Sequence, residues 1–193
     1  MKAKVIYLTG APASGKSTTV KKLLESRSDI ELWEYSQRLI DYVNVTRPDP
    51  VTHSLLRQTS GALVRPEDIA EVDKLLINFV VRNKGEKHVI IDSHPLTREE
   101  YGFRCTAFSL PQIQAIAPDE VWVLYADPKT TIARIETSGG GRKAVDEEHA
   151  RMHTYLQASI ATSYGIAVGK PVYFFDSTVD QDDLVERLAK RLL

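Results

Sequence analysis

Residues 4–20 constrain the fold of this chain more than any other stretch. Val5, Ile6, Tyr7 and Leu8 form an unbroken apolar run, the pattern of a strand buried on both faces of a parallel sheet. Gly10-Ala11-Pro12-Ala13-Ser14-Gly15-Lys16-Ser17 follows at once and fits G-x-x-x-x-G-K-[ST], with Thr18 opening the helical continuation. Each fixed position has a mechanical reason. Glycines let the backbone turn and approach an anion without a Cβ in the way. The loop amides form an anion nest, and the helix that follows adds the positive end of its dipole. Lys16 is placed to reach β- and γ-phosphates, and the Ser17 hydroxyl to ligate Mg²⁺. A glycine-serine turn before an ordinary helix is the plain alternative. The strand before the motif and the helix after it favour a phosphate site.

The rest of the composition narrows the partners. A chain of 193 residues with formal net charge −1 is of single-domain size. With no long basic run, nucleic acid is not expected as a partner. Cys105 is the only cysteine, so a disulfide framework is excluded and a reducing cytoplasm is expected. The apolar core at Val5–Leu8 is too short for the h-region of a secretory signal, and no stretch reaches membrane-spanning length. The expectation is a soluble cytoplasmic protein acting on small molecules, with no membrane partner and its oligomeric state open.

Further along, apolar runs at residues 30–35, 88–92, 121–126 and 172–175 read as strands. The first carries Glu31 and Glu34 among its apolar residues and belongs near a sheet edge. Helices are expected over residues 16–26, from an N-cap at Ser36 through Val43, over 66–82, 129–136, 146–168 and 181–192. Pro48, Pro50 and Pro66 break the intervening stretch into short pieces. The helix at residue 66 starts with Pro66, Glu67 and Asp68, and the one at 146 with three acids, as the helix dipole prefers. Strands alternating with helices imply a parallel sheet covered on both faces.

Several other residues carry chemical meaning. Asp92 ends the apolar strand Val89-Ile90-Ile91, where an acid faces the same crevice as the phosphate loop and can organise Mg²⁺. An Asp that merely caps a turn is the competing reading. Gly139-Gly140-Gly141 followed by Arg142 reads as a hinge carrying a cation, with Arg134 close enough to assist at the phosphates. His94, Arg98 and Arg104 follow Asp92 and suit an anionic group on a second substrate, as does Arg38 in the other insert. Ordinary surface charge is the competing reading, and for Arg98, which adjoins Glu99 and Glu100, it explains the residue equally well. Trp33 and Trp122 read as core packing. Asn83-Lys84-Gly85-Glu86 and Asp92-Ser93-His94-Pro95 lack the features of a regulatory GTPase.

With these pieces placed, the chain resembles the archaeal-type adenylate kinases, a branch of the P-loop nucleoside monophosphate kinases. Asp92-Ser93-His94 stands where that family has Asp-Thr-His, Gly102-Phe103 matches a Gly-aromatic pair, and Tyr164-Gly165 with Gly169 matches the end of its long late helix. Two features differ. The family's Arg-x-Arg-Asp lid is reduced to Arg142, and an arginine of its late helix falls on Gln157-Ala158. The resemblance implies a three-layer α/β P-loop fold with a five-stranded parallel sheet, as one domain over residues 1–193. An insert near 34–85 would face the acceptor and a lid would lie near 137–145. It implies Mg²⁺-dependent transfer of a phosphoryl group from ATP to a small acceptor, most simply a nucleoside monophosphate. ATP would then contact Gly10 through Thr18, Arg134 and Arg142; the catalytic residues would be Lys16, Asp92 and Arg142. Mg²⁺ would be held by Ser17 and Asp92, and the acceptor by Arg38, Asp92, His94, Arg98 and Arg104. A small-metabolite or nucleoside kinase, and a nucleotide-binding regulator or slow ATPase, stay open beside it.

Overall fold

A computed structural model describes residues 3–47, 50–53, 55–56, 63–137 and 144–193. Five strands make one parallel sheet: β1 (Val5–Thr9), β2 (Ile30–Glu34), β3 (His88–Asp92), β6 (Glu120–Tyr125) and β7 (Val172–Asp176). Their order is β2-β3-β1-β6-β7, and every neighbouring pair is parallel. A second, two-stranded antiparallel sheet pairs β4 (Leu96–Glu99) with β5 (Gly102–Cys105). The helices described over their full length are α1 (Lys16–Ser26), α2 (Tyr35–Thr46), α3 (Pro66–Asn83), α4 (Leu110–Ile116), α5 (Pro128–Thr137), α6 (Glu147–Val168) and α7 (Gln181–Arg191).

Side-chain alternation along β1 builds the layers. Val5 and Tyr7 point into one core, with α2, α3, α4 and α6; Ile6 and Leu8 point into the other, with α1 and α7. A strand buried on both faces must be apolar at successive positions, which is why Val5 to Leu8 read as they do. Trp122, fully buried, fills the second core edge-on to Phe175 at 5.7 Å. The α/β fold with its five-stranded parallel sheet is the one expected, and β2 lies at the edge.

Register then places the chemistry. Leu8 pairs with Asp92, and Asp92 in turn with Glu34, so the carboxyl ends of β1, β3 and β2 are level. The chain fills both sides of β1, with β3 on one flank and β6 on the other. Open α/β sheets bind ligands at such a switch point.

Three elements differ from expectation. Helix α2 begins at Tyr35, directly out of β2, with Glu34 at its N-cap and no side-chain cap; Ser36 lies inside the first turn. The β4–β5 hairpin was not expected, because Leu96–Cys105 has neither strand nor helix periodicity; it turns through Glu100 and Tyr101 into Gly102, whose φ is 134°. Helix α4 is a third addition, signalled by Ser109, Pro111 and Gln112: the Ser109 amide donates to the Gln112 side chain at 2.7 Å, as in a capping box.

Candidate active site

The loop from Gly10 to Ser17 leaves the end of β1 and enters α1. Any side chain at residue 10 would overlap the Leu124 carbonyl of β6, so the sheet itself demands glycine there. Gly15 adopts φ 82°. Ala13 also sits in the left-handed region, at φ 62°, a conformation costing a non-glycine residue about 1–2 kcal/mol. Its carbonyl is held in return: Arg134 Nη1 donates to Ala13 O at 3.2 Å, while Nη2 donates to Ser177 O at 2.7 Å. Arg134 therefore ties α5 and the end of β7 to the loop. On the far side, Thr19 Oγ1 donates to Gly15 O at 2.9 Å and accepts from Gln181 Nε2 at 2.8 Å, pinning the first turn of α1 to α7.

Lys16 and Asp92 face each other. Nζ lies 3.7 Å from Asp92 Oδ1, and the two side chains are 13% and 12% exposed. Both line a cleft of about 1000 Å³ that also contains every residue from Gly10 to Thr18. Ser17 opens to solvent beside Asp92. A hydroxyl and a carboxylate are hard oxygen donors, the set Mg²⁺ takes when it retains waters and phosphate oxygens as its other ligands. Among the described residues no cluster of three His, Cys, Asp or Glu side chains forms a closed metal cage.

The cleft's other wall comes from the β4–β5 hairpin and from α2 and α3. His94, Arg98 and Arg104 line it. Arg98 donates to the Ala144 carbonyl at 2.8 Å, and Arg104 Nε lies 3.4 Å from Glu99. Arg38 is not among the residues that line the cleft: it is exposed, and its guanidinium covers the Trp33 ring at 5.1 Å, the stacking a planar cation finds on indole. Arg142, with Gly139 to Gly141, lies outside the described residues.

Three buried polar residues lie at or beside the site with no sequence motif to announce them. Asp73 of α3 lines the cleft although only 4% exposed, and accepts from Tyr35 Oη at 2.7 Å and Gln112 Nε2 at 2.6 Å. Its signal was present: Asp73 falls on the buried stripe with Val72, Leu76 and Val80, a costly place for a carboxylate. Gln157 of α6, buried where the resembling family has an arginine nearby, donates to Thr9 Oγ1. His153, one turn earlier, is buried edge-on to Phe103 at 5.2 Å and lines the cleft. Burial pulls its pKa down from 6.5 to about 4, against a hydrogen bond with the Leu96 backbone, and the positive charges of Lys16 and Arg98 push the same way as burial.

A five-stranded parallel sheet with a phosphate loop at its switch point, an acid on the adjacent strand and a two-ended cleft define a P-loop kinase-like domain. A family profile described as an AAA domain matches residues 9–151, more than half of the chain, and the chain belongs to that family. Solved structures agree on the fold. A shikimate kinase from Acinetobacter baumannii, in complex with shikimate, superposes with TM-score 0.57 at 13% identity, covering 98% of this chain and 92% of that one. An unliganded sugar kinase from Janibacter sp. HTCC2649 gives TM-score 0.53 at 15% identity, covering 97% and 93%. Among the described residues no helix is long and apolar enough to cross a membrane.

Proposed function

We propose that this protein is an ATP-dependent phosphotransferase whose acceptor is a small molecule, most simply a nucleoside monophosphate as in the adenylate kinases. One observation carries the reading: the Lys16–Asp92 pair sits in a single cleft that runs from the phosphate loop to the Tyr35, Asp73 and Phe108 wall. Phosphoryl transfer needs two substrates brought together with water kept out, and little else from the protein. The loop amides and Lys16 hold the β- and γ-phosphates and meet the charge that develops during transfer. Mg²⁺, held by Ser17 and Asp92, would supply further charge neutralisation at the phosphate oxygens. Arg98 and Arg104 stand on the acceptor side for a phosphate already present on the second substrate. With such an acceptor the nucleophile is already an anion and no general base is required.

A hydroxyl acceptor is the second reading. Asp92 favours it, since it ends β3 inside the cleft and can take a hydroxyl proton; the two kinases of similar fold carry sugar and shikimate in their names. The test is ADP formation from ATP and Mg²⁺ across nucleoside monophosphates, nucleosides, sugars and shikimate. Acceptor-dependent ADP is expected, highest with a nucleoside monophosphate. ATP consumption equal with and without every acceptor would make the protein a slow ATPase or nucleotide-binding regulator and overturn the reading.

A further inference from the structure

We infer that Asp73 selects the acceptor, by accepting a hydrogen bond from an amino group on its ring. The inference rests on the reading that an acceptor occupies the insert end of the cleft. Asp73 lies there at 4% exposure, between Tyr35 of α2 and Gln112 of α4. Both partners are neutral. Burying a carboxylate against neutral donors alone is expensive, and an asparagine in its place would join α2, α3 and α4 as well. The charge therefore has a use beyond bracing.

What the charge can do follows from its remaining valence. Each carboxylate oxygen accepts one of the two hydrogen bonds and has capacity for another. Tyr35 gives its proton to Asp73 Oδ1, so its own oxygen is also left as an acceptor. The pair offers acceptors only, and a group entering beside it must donate. The surrounding wall is apolar and aromatic: Leu39, Ile69, Phe108 and Tyr164 line the same cleft. A polyhydroxylated acceptor would leave hydroxyls unpaired against that wall, whereas a flat heterocycle buries its faces and presents one donating edge. A ring carbonyl in the same place would face the carboxylate and be rejected, because buried polar groups left unpaired are what give a site high selectivity. Burial raises the Asp73 carboxyl from its ordinary value, and the bonds from Tyr35 and Gln112, which favour the charged form, oppose that rise.

The experiment crosses the residue with the ligand group. Acceptor kcat/KM is measured for AMP and for purine riboside 5′-monophosphate, which lacks the amino group, and likewise for CMP and pyrimidin-2-one riboside 5′-monophosphate. This is done in the wild-type chain, Asp73→Asn and Tyr35→Phe. The amino-bearing member of a pair is expected to lead by about tenfold to a hundredfold in wild type, with Asp73→Asn reducing that lead to less than about threefold. Tyr35→Phe, which keeps the carboxylate but frees its orientation, should reduce it partway. Equal losses on both members of a pair would make Asp73 a brace and overturn the inference, as would turnover with UMP or IMP alone or only with sugars, while the kinase reading survives. Absence of acceptor-dependent ADP with every compound would remove both.

Discussion

Lys16 and His153 lie in the same cleft and are held there by opposite means. Lys16 Nζ lies 3.7 Å from Asp92, placed to exchange one anion for the larger charge of a phosphate chain. Lys16→Ala should lower turnover by at least about a hundredfold, since a phosphate in a water-poor site loses its cation. Steady-state ADP release checks it, and unchanged kcat with unchanged ATP affinity would remove the phosphate site. His153 is neutral because burial holds its pKa near 4. Its folded-state value lies below the unfolded one, so stability is complete above pH 6.5. Stability then declines as pH falls from 6.5 towards 4, where the unfolded chain binds a proton that the folded chain refuses. A shift of that size corresponds to about 3 kcal/mol. His153→Gln should be less acid-sensitive by up to that amount between pH 7 and pH 4, measured by urea unfolding. Parallel pH profiles for the two proteins would show that the imidazole is not the group responsible.

Among the elements, the phosphate loop depends on structures distant in sequence. Its left-handed Ala13 is held by Arg134 from α5, which also reaches Ser177 beyond β7. Arg134→Ala should weaken ATP binding by roughly tenfold and destabilise the unliganded protein by about 1–3 kcal/mol, the range for losing hydrogen bonds from a charged donor. Calorimetric titration with a non-hydrolysable ATP analogue and chemical unfolding give the two quantities. A loss of affinity with stability intact would instead assign Arg134 to direct contact with the nucleotide. The same dependence on distant partners explains which elements were readable. Strand β1 and helix α1 follow from local rules, apolar continuity and a glycine-framed helix start. The β4–β5 hairpin does not, because its ladder from Leu96 to Cys105 is antiparallel, short and half-exposed, leaving no periodic apolar face. The start of α2 at Tyr35 is likewise a tertiary matter: the Tyr35 hydroxyl reaches α3 at Asp73, and Ser36 is not needed as a cap.

For the whole molecule, the cleft is lined from the phosphate loop, the hairpin and helices of both layers, so occupying it should stabilise the entire fold. ATP with Mg²⁺ at about a hundred times its dissociation constant adds roughly 2.7 kcal/mol to the folded state. For a chain of this size that corresponds to a rise in Tm of about 5–11 °C. The rise should shrink when Mg²⁺ is removed by chelation and nearly vanish in Lys16→Ala. A Tm that ignores both nucleotide and metal would argue that the loop is structural.

Residues 4–20 by themselves made the strand, the phosphate loop and the helix behind it legible, because apolar continuity and a glycine-framed helix start are local signals, while Arg134 and the Leu124 carbonyl, which hold the loop in place, are distant in sequence. Alternation of apolar runs with amphipathic helices likewise determined a parallel sheet covered on both faces, and Asp92 was legible as the acid ending one of its strands. The tertiary structure alone decided the wall of the cleft opposite the phosphate loop. Arg38 lies over the Trp33 ring and not along the cleft. Asp73 and His153 entered it because α3 and α6, far apart in the chain, turn these positions towards one cleft. Periodicity reports which face of a helix is buried; what that face is buried against depends on the packing of the other helices, and there a carboxylate on an apolar stripe becomes a binding group.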